Sequence, residues 1–155
     1  EGVDIYGNNQ AVCDTAIDYL QAINDRLEGT PFKVAYRTRN EFLLYVVNNL
    51  QYNHGENGEE LSQEFVIARA LDEITSMKVL SRIEGDESKV SKSFLEGLKA
   101  IIKAQLEEIA PDCDFVAKIN EEATEDDKKQ MLSVSLAKLD EMISRLDSGY
   151  TSFWS

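Results

Sequence analysis

Two arginines stand two positions apart, Arg37 and Arg39, at the head of "YRTRNEFLLYVV", where a charged segment runs into a block of large apolar side chains. A guanidinium is a planar fork of N–H donors that stays protonated at physiological pH, so its chemistry is recognition of phosphate or carboxylate. At a helix N-terminus the backbone already makes the local potential positive, and two cations there are unfavourable unless something negative joins them. The residues allow two readings. In one, Arg37 and Arg39 pair with Glu41 or with acids of another helix and are structural. In the other, they clamp an anionic ligand. Thr38 and Glu41 supply the T-x-x-E of a capping box, which predicts a helix start with Arg39 and Asn40 in its first turn and Arg37 just before it.

Other chemistry is poorly provided for. The chain contains no G-x-x-x-x-G-K-[ST], no G-x-S-x-G, no H-E-x-x-H and no G-x-G-x-x-G. His54, the only histidine, lies in the polar turn "NHGENGEE" with neither an orienting carboxylate nor a nucleophile indicated, so a hydrolase built on it is set aside. Glu121-Glu122 and Glu125-Asp126-Asp127 lack the spacing and turn glycine of a calcium loop and read as a solvated face. Cys13 and Cys113 match no zinc spacing. They read as free buried thiols in a reducing cytosol, the alternative being one disulfide in a secreted protein. No catalytic residue and no metal site is expected within these residues.

The net charge of −13 argues against direct nucleic-acid binding, because phosphate contacts need Lys and Arg in excess. No apolar run approaches the roughly 20 residues of a membrane span, and no signal peptide is visible, so the expected location is cytoplasmic. The start at Glu1 rather than Met reads as a piece of a longer chain or a processed protein.

The elements that must position the arginines follow from apolar periodicity. Two prolines and eight glycines in 155 residues, with abundant Leu, Glu, Lys and Ala, favour helix. Helices are predicted over Asn8 to Leu27, from the capping box through Leu50, over Leu61 to Leu80, over Val90 to Ile109, and from about Glu125 to Leu146. "PFKVAY" is the one short extended segment, and the body Phe42 to Leu50, apolar almost all round, predicts the central buried helix. Residues 112–127 form an acidic exposed excursion, and 148–155 an aromatic tail whose Tyr150, Phe153 and Trp154 are expected to dock on the helices or on a partner. Lys78 and Arg82, four apart, are expected on one helical face as a contact surface. The fold class is all-α: a single domain over 1–155, a compact bundle of about five helices.

Three stretches in order, "YRTRNEFLLYV", "ALDEITSMKVLSRIEGDESK" and "LAKLDEMISRLDSGYTSFW", resemble phrases that close the chains of McrB-like AAA+ NTPases, the motor subunits of modification-dependent restriction systems. That family's pattern is Y-R-x-x-N-E before an apolar helix, an Asp-led helix running into K-[VI]-L-P-[RK]-I-x-G, and a last helix leading to G-[YF]-T-S-F-W. Here Tyr36, Arg37, Asn40 and Glu41 match the first, Asp72, Lys78, Val79, Leu80, Arg82, Ile83 and Gly85 the second, and Gly149 to Trp154 the third. Ser81 stands where the family usually has proline. The three blocks span about three quarters of the chain.

The resemblance implies a helical lid at the C-terminal end of an AAA+ motor, with the P-loop, Walker B segment and any DNA-reading domain upstream of Glu1. It implies GTP or ATP with Mg in the full-length protein, a homo-oligomeric ring, a McrC-like nuclease partner, and a role in DNA defence. On that view Arg37, or failing it Arg39, would neutralise nucleotide phosphate in a sensor-like or inter-subunit role, with Thr38, Asn40 and Glu41 holding the helix start. The rival is a free-standing acidic helical module that binds another protein through its acidic face or its aromatic tail.

Overall fold

Three serines decide where helices begin. Ser62, Ser91 and Ser133 each hold extended backbone and accept the amide three residues on, from Phe65 (3.2 Å), Phe94 (3.1 Å) and Leu136 (3.1 Å). A serine cap satisfies one of the orphan donors of a helix N-terminus. The resulting computed structural model describes residues 9–51, 62–111, 113 and 133–154. Its elements are α1 (Gln10–Leu27), α2 (Tyr36–Gln51), α3 (Gln63–Lys78), β1 (Glu84–Asp86), α4 (Lys92–Ile109), α5 (Val134–Arg145) and β2 (Tyr150–Ser152). The fold is all-α, five helices with one minimal ribbon.

The helices meet in one core. α1 turns Val12, Ala16, Tyr19, Leu20, Ile23 and Leu27 inward, and α4 turns Leu95, Leu98, Ile102 and Leu106, both at three-and-four spacing. On α4 Leu98 and Ile102 lie at the centre of the buried stripe, and Phe94, Ile101 and Ile109 flank it partly buried. The central helix is α3, not α2. α3 touches all four other helices and buries Val66, Ile67, Ala68, Ala70, Leu71, Asp72, Ile74 and Thr75. α2 buries only Phe42, Leu43 and Val46, and Leu44 is 44% exposed. Small side chains explain the exchange: Ala68 and Ala70 let neighbours approach α3 closely, whereas the bulk of α2 forms one packed face and one open one. A buried polar bond joins α1 to α3, the Tyr19 hydroxyl donating to Thr75 Oγ1 (2.8 Å) while Thr75 donates to the Leu71 carbonyl (2.6 Å).

Residues 33–35 link α1 to α2 as an unpaired connector, its path fixed by the Val34 amide donating to Asn24 Oδ1 on α1 (2.8 Å). Three further expectations change. With the chain so fixed, α2 starts at Tyr36 and the Ala35 carbonyl accepts from the amides of Thr38 (3.0 Å) and Arg39 (3.4 Å). Thr38 therefore lies inside the first turn and the capping box is unused. α3 ends at Lys78 and Arg82 falls in a separate 3-10 turn, Leu80–Arg82, so the two cations do not share a helical face. α5 begins after Ser133, not near Glu125. Asn8, His54, Leu132 and the acidic excursion apart from Cys113 lie outside the described residues.

The strands are the phrases "EGD" and "YTS", paired antiparallel with Glu84 opposite Ser152, Gly85 opposite Thr151 and Asp86 opposite Tyr150. Gly85 has φ 152°, where a side chain is strained, and a Cβ there would lie 3.0 Å from Lys89 side-chain carbons and press on them. Gly149, at φ 97°, turns the chain from the 3-10 extension of α5 into β2.

Candidate functional site

The site is the head of α2. Arg37 is exposed, and among the described residues it makes no ion pair or hydrogen bond. Arg39 is half-buried, its guanidinium 5.3 Å from the centre of the Tyr36 ring, and Tyr36 is itself 72% exposed. A groove of about 200 Å³ opens beside them, lined by Leu20, Asn24, Val34, Tyr36 and Arg39 among others. Among the described residues Thr38 and Asn40 make no side-chain hydrogen bond, and Asn40 is exposed. Glu41 reaches across to the end of α3 and pairs with Lys78 at 2.9 Å.

The geometry separates the two arginines. Arg39 lies over an aromatic ring, an arrangement in which a cation is attracted by the ring's electrons. Arg37 projects from the positive end of a 16-residue helix into solvent, and the acid one turn along is taken by Lys78. A cation so placed has its full set of donors for a phosphate or carboxylate. Lys78 is used in bracing α2 on α3; Arg82 is exposed.

The C-terminal phrase docks, but not by the aromatics as a set. Thr151 is buried and donates to the Met142 carbonyl (2.7 Å), and Arg145 Nη1 donates to the carbonyls of Ser152 (2.6 Å) and Phe153 (3.3 Å). Phe153 packs on the core under the Lys138 ammonium, 4.7 Å from its ring centre. Tyr150 and Trp154 remain 50% and 76% exposed. Within β2 Thr151 and Ser152 are the buried residues and Tyr150 the exposed one.

One constellation went unread in the sequence. Asp72, buried on α3, meets the first turn of α5: its Oδ1 accepts from Ser133 Oγ (2.5 Å) and the Ser135 amide (3.2 Å), and its Oδ2 from the Val134 amide (2.9 Å). Ser135 Oγ returns a bond to the Asp72 carbonyl (2.7 Å). A carboxylate on one helix thus caps another, where orphan amides and the dipole both favour it. Burial raises the Asp72 pKa, and the bonds from Ser133, Val134 and Ser135 offset part of that rise. The available signal was an acid inside the apolar run "VIARALDEIT", facing the S-x-S of "LSVSL".

Among the described residues no group of three His, Cys, Asp or Glu is arranged to hold a metal. Cys13 and Cys113 are not joined in a disulfide; Cys13 is buried and raised in pKa by that burial, and Cys113 has its sulfur 3.7 Å from Ser62 Oγ. No described helix is long and apolar enough to cross a membrane.

No curated protein and no solved structure matches the chain. A family model does, over residues 3–150, and its description is Domain of unknown function (DUF8727). With nearly the whole length matched, the chain belongs to that family.

Proposed function

We propose that this chain is the helical lid of a McrB-like AAA+ NTPase, non-catalytic by itself, with Arg37 as the cation that meets nucleotide phosphate or the adjoining subunit. The observation that carries the reading is that Arg37 has no partner among the described residues while Glu41, the acid that would have braced it, is held by Lys78 at 2.9 Å. An arginine needed only to secure the start of α2 would have its partner within the fold. Tyr36 and Asn40, which belong to the same phrase, are also exposed there. The full protein would hydrolyse GTP or ATP with Mg in a cytoplasmic ring and drive a McrC-like nuclease. This domain would contribute positive charge from a rigid helix, which costs no reorganisation when charge develops on the phosphate.

The test is Arg37→Ala in the intact polypeptide. Hydrolysis reduced by about 10²-fold with unchanged melting supports the reading; unchanged hydrolysis, with or without a lower melting temperature, overturns it. The coding DNA upstream of Glu1 gives an independent check, since a lid requires G-x-x-x-x-G-K-[ST] in the same frame. A second reading, an acidic helical interaction module, is favoured by the exposure of Trp154 and Tyr150. It requires no NTPase in the same polypeptide.

A further inference from the structure

We infer that the outward face of the β1–β2 ribbon, with Trp154 beside it, is a docking surface for a cationic segment of a protein partner, one that presents arginine or lysine next to an apolar side chain. The inference stands on the ribbon and tail alone and does not depend on the role of Arg37. Residues directly opposite in an antiparallel pair share a face, so Glu84, Asp86 and Tyr150 project together, while Gly85 and Thr151 are buried on the other side. The Tyr150 hydroxyl donates to Glu84 Oε2 (3.4 Å), which places ring and carboxylate side by side. Trp154, two residues past the ribbon, is 76% exposed and edge-on to Phe153 with ring centres 4.7 Å apart.

Two features make this more than a loose tail. The backbone beneath the aromatics is fixed by the ribbon, by Arg145 on two carbonyls, and by Thr151 on Met142. Little ordering entropy is then left to lose on binding, the condition under which an exposed Trp becomes a binding anchor. The outward residues of the ribbon itself carry charge of one sign, while the cations nearest the tail, Lys138 and Arg145, are held on the Phe153 ring and on the Ser152 and Phe153 carbonyls. Asp86 gives one oxygen to Ser88 and to the Lys89 amide and keeps the other, and Glu84 is engaged only by Tyr150 among the described residues. Carboxylates flanking aromatic faces attract a cation both by charge and through the rings. An acidic partner would meet repulsion here, and a purely apolar one would leave both carboxylates desolvated.

Trp154 is the only tryptophan, so its emission reports on this surface directly. The probe is an acetylated, amidated hexapeptide carrying two arginines and a leucine, titrated into the chain, with a glutamate-for-arginine peptide as control. A saturable blue shift with the arginine peptide alone is expected. Glu84→Gln with Asp86→Asn should weaken it about tenfold, the sum of two exposed charge pairs, since Asn keeps the oxygen that Ser88 and Lys89 use. Trp154→Ala, followed by calorimetry, should abolish binding with melting unchanged. No saturable response at millimolar peptide overturns the proposal. So does equal binding by the Glu84→Gln, Asp86→Asn variant, which would mark the attraction as the general one of a chain of charge −13.

Discussion

Replacing Asp72 with alanine removes the acceptor for three donors at the start of α5. Their costs differ. Ser135 is fully buried, so its amide, once deprived of Asp72, bears a desolvation penalty of about 1–3 kcal/mol. The Ser133 hydroxyl can turn towards another acceptor, and Val134 is 46% exposed, so water can reach its amide; each of these loses about 0.5–1 kcal/mol. Relief of a buried charge works in the opposite direction, but the small void left by the carboxylate offsets it. The net expectation is a loss of about 3 kcal/mol. For 155 residues the unfolding entropy is about 0.33 kcal/mol per kelvin, which converts the loss to a fall in Tm of about 9 °C. Calorimetry or circular dichroism on Asp72→Ala, with the exposed Asp147→Ala as reference, measures it. If both variants melted within about 1 °C of the parent, the claim that Asp72 caps α5 would be wrong.

The burial that raises the Asp72 pKa gives the folded state more bound protons than the unfolded one between the ordinary aspartate value and the folded value. Its contribution to stability is therefore fully present below the unfolded pKa and is lost as pH rises through the folded one. The stability of the parent relative to Asp72→Asn should fall across that window, and a pH-independent difference in urea midpoints would contradict the assignment. On α4, a Cβ at Gly97 would lie 2.5–2.7 Å from the Arg26 guanidinium, which stacks there and donates to the Ser93 carbonyl (2.9 Å). Gly97→Ala should be nearly neutral, a helix gain of about 1 kcal/mol against loss of that seat; in an Arg26→Ala background it should stabilise by about 1 kcal/mol, and the double-mutant cycle reads the difference. Thr151→Val removes the buried bond to Met142 and orphans its carbonyl, for a loss of about 1–2 kcal/mol measured by denaturant unfolding. Lys78→Ala should cost at most about 0.5 kcal/mol, because its pair with Glu41 is largely solvated and salt-screened, as a comparison at two ionic strengths would reveal.

Periodicity made the helices legible because it is a local property: the apolar stripes of α1, α4 and α5 repeat within two turns, and the serines that start three of the helices are local too. Boundaries that rest on tertiary contacts were not legible. The T-x-x-E at Thr38 and Glu41 is a sound local signal, overridden because Asn24, ten residues before Val34, takes the amide that sets where α2 begins. The centrality of α3 depends on small residues whose value lies in what approaches them, and hydrophobicity alone pointed instead to the bulkier α2. Strand pairing between residues 66 apart has no period to read, so "EGD" and "YTS" were seen as a helix stop and a tail. Arg37 stands out in the sequence as a cation at a helix start, but its lack of a partner among the described residues does not, because Glu41 is the nearer candidate until Lys78 is placed beside it.

The ribbon also carries a consequence for the order of assembly. Glu84 and Tyr150 are separated by 66 positions, and closing a flexible loop of that length costs about 4 kcal/mol before a three-residue pairing returns anything. Such a pairing cannot nucleate folding; it must wait until α4 and α5 have packed on α3 and shortened the path between its ends. The ribbon is then the last part to close and the first to open, a clasp over a bundle that has already formed. Until it closes, the edge of β1 is an unpaired strand template and Thr151 and Phe153 are outside the core. Nascent chains that have not yet extended past Ser152 spend that interval with this edge uncovered, which makes synthesis, rather than the finished fold, the stage at which the ribbon is most prone to misassociation.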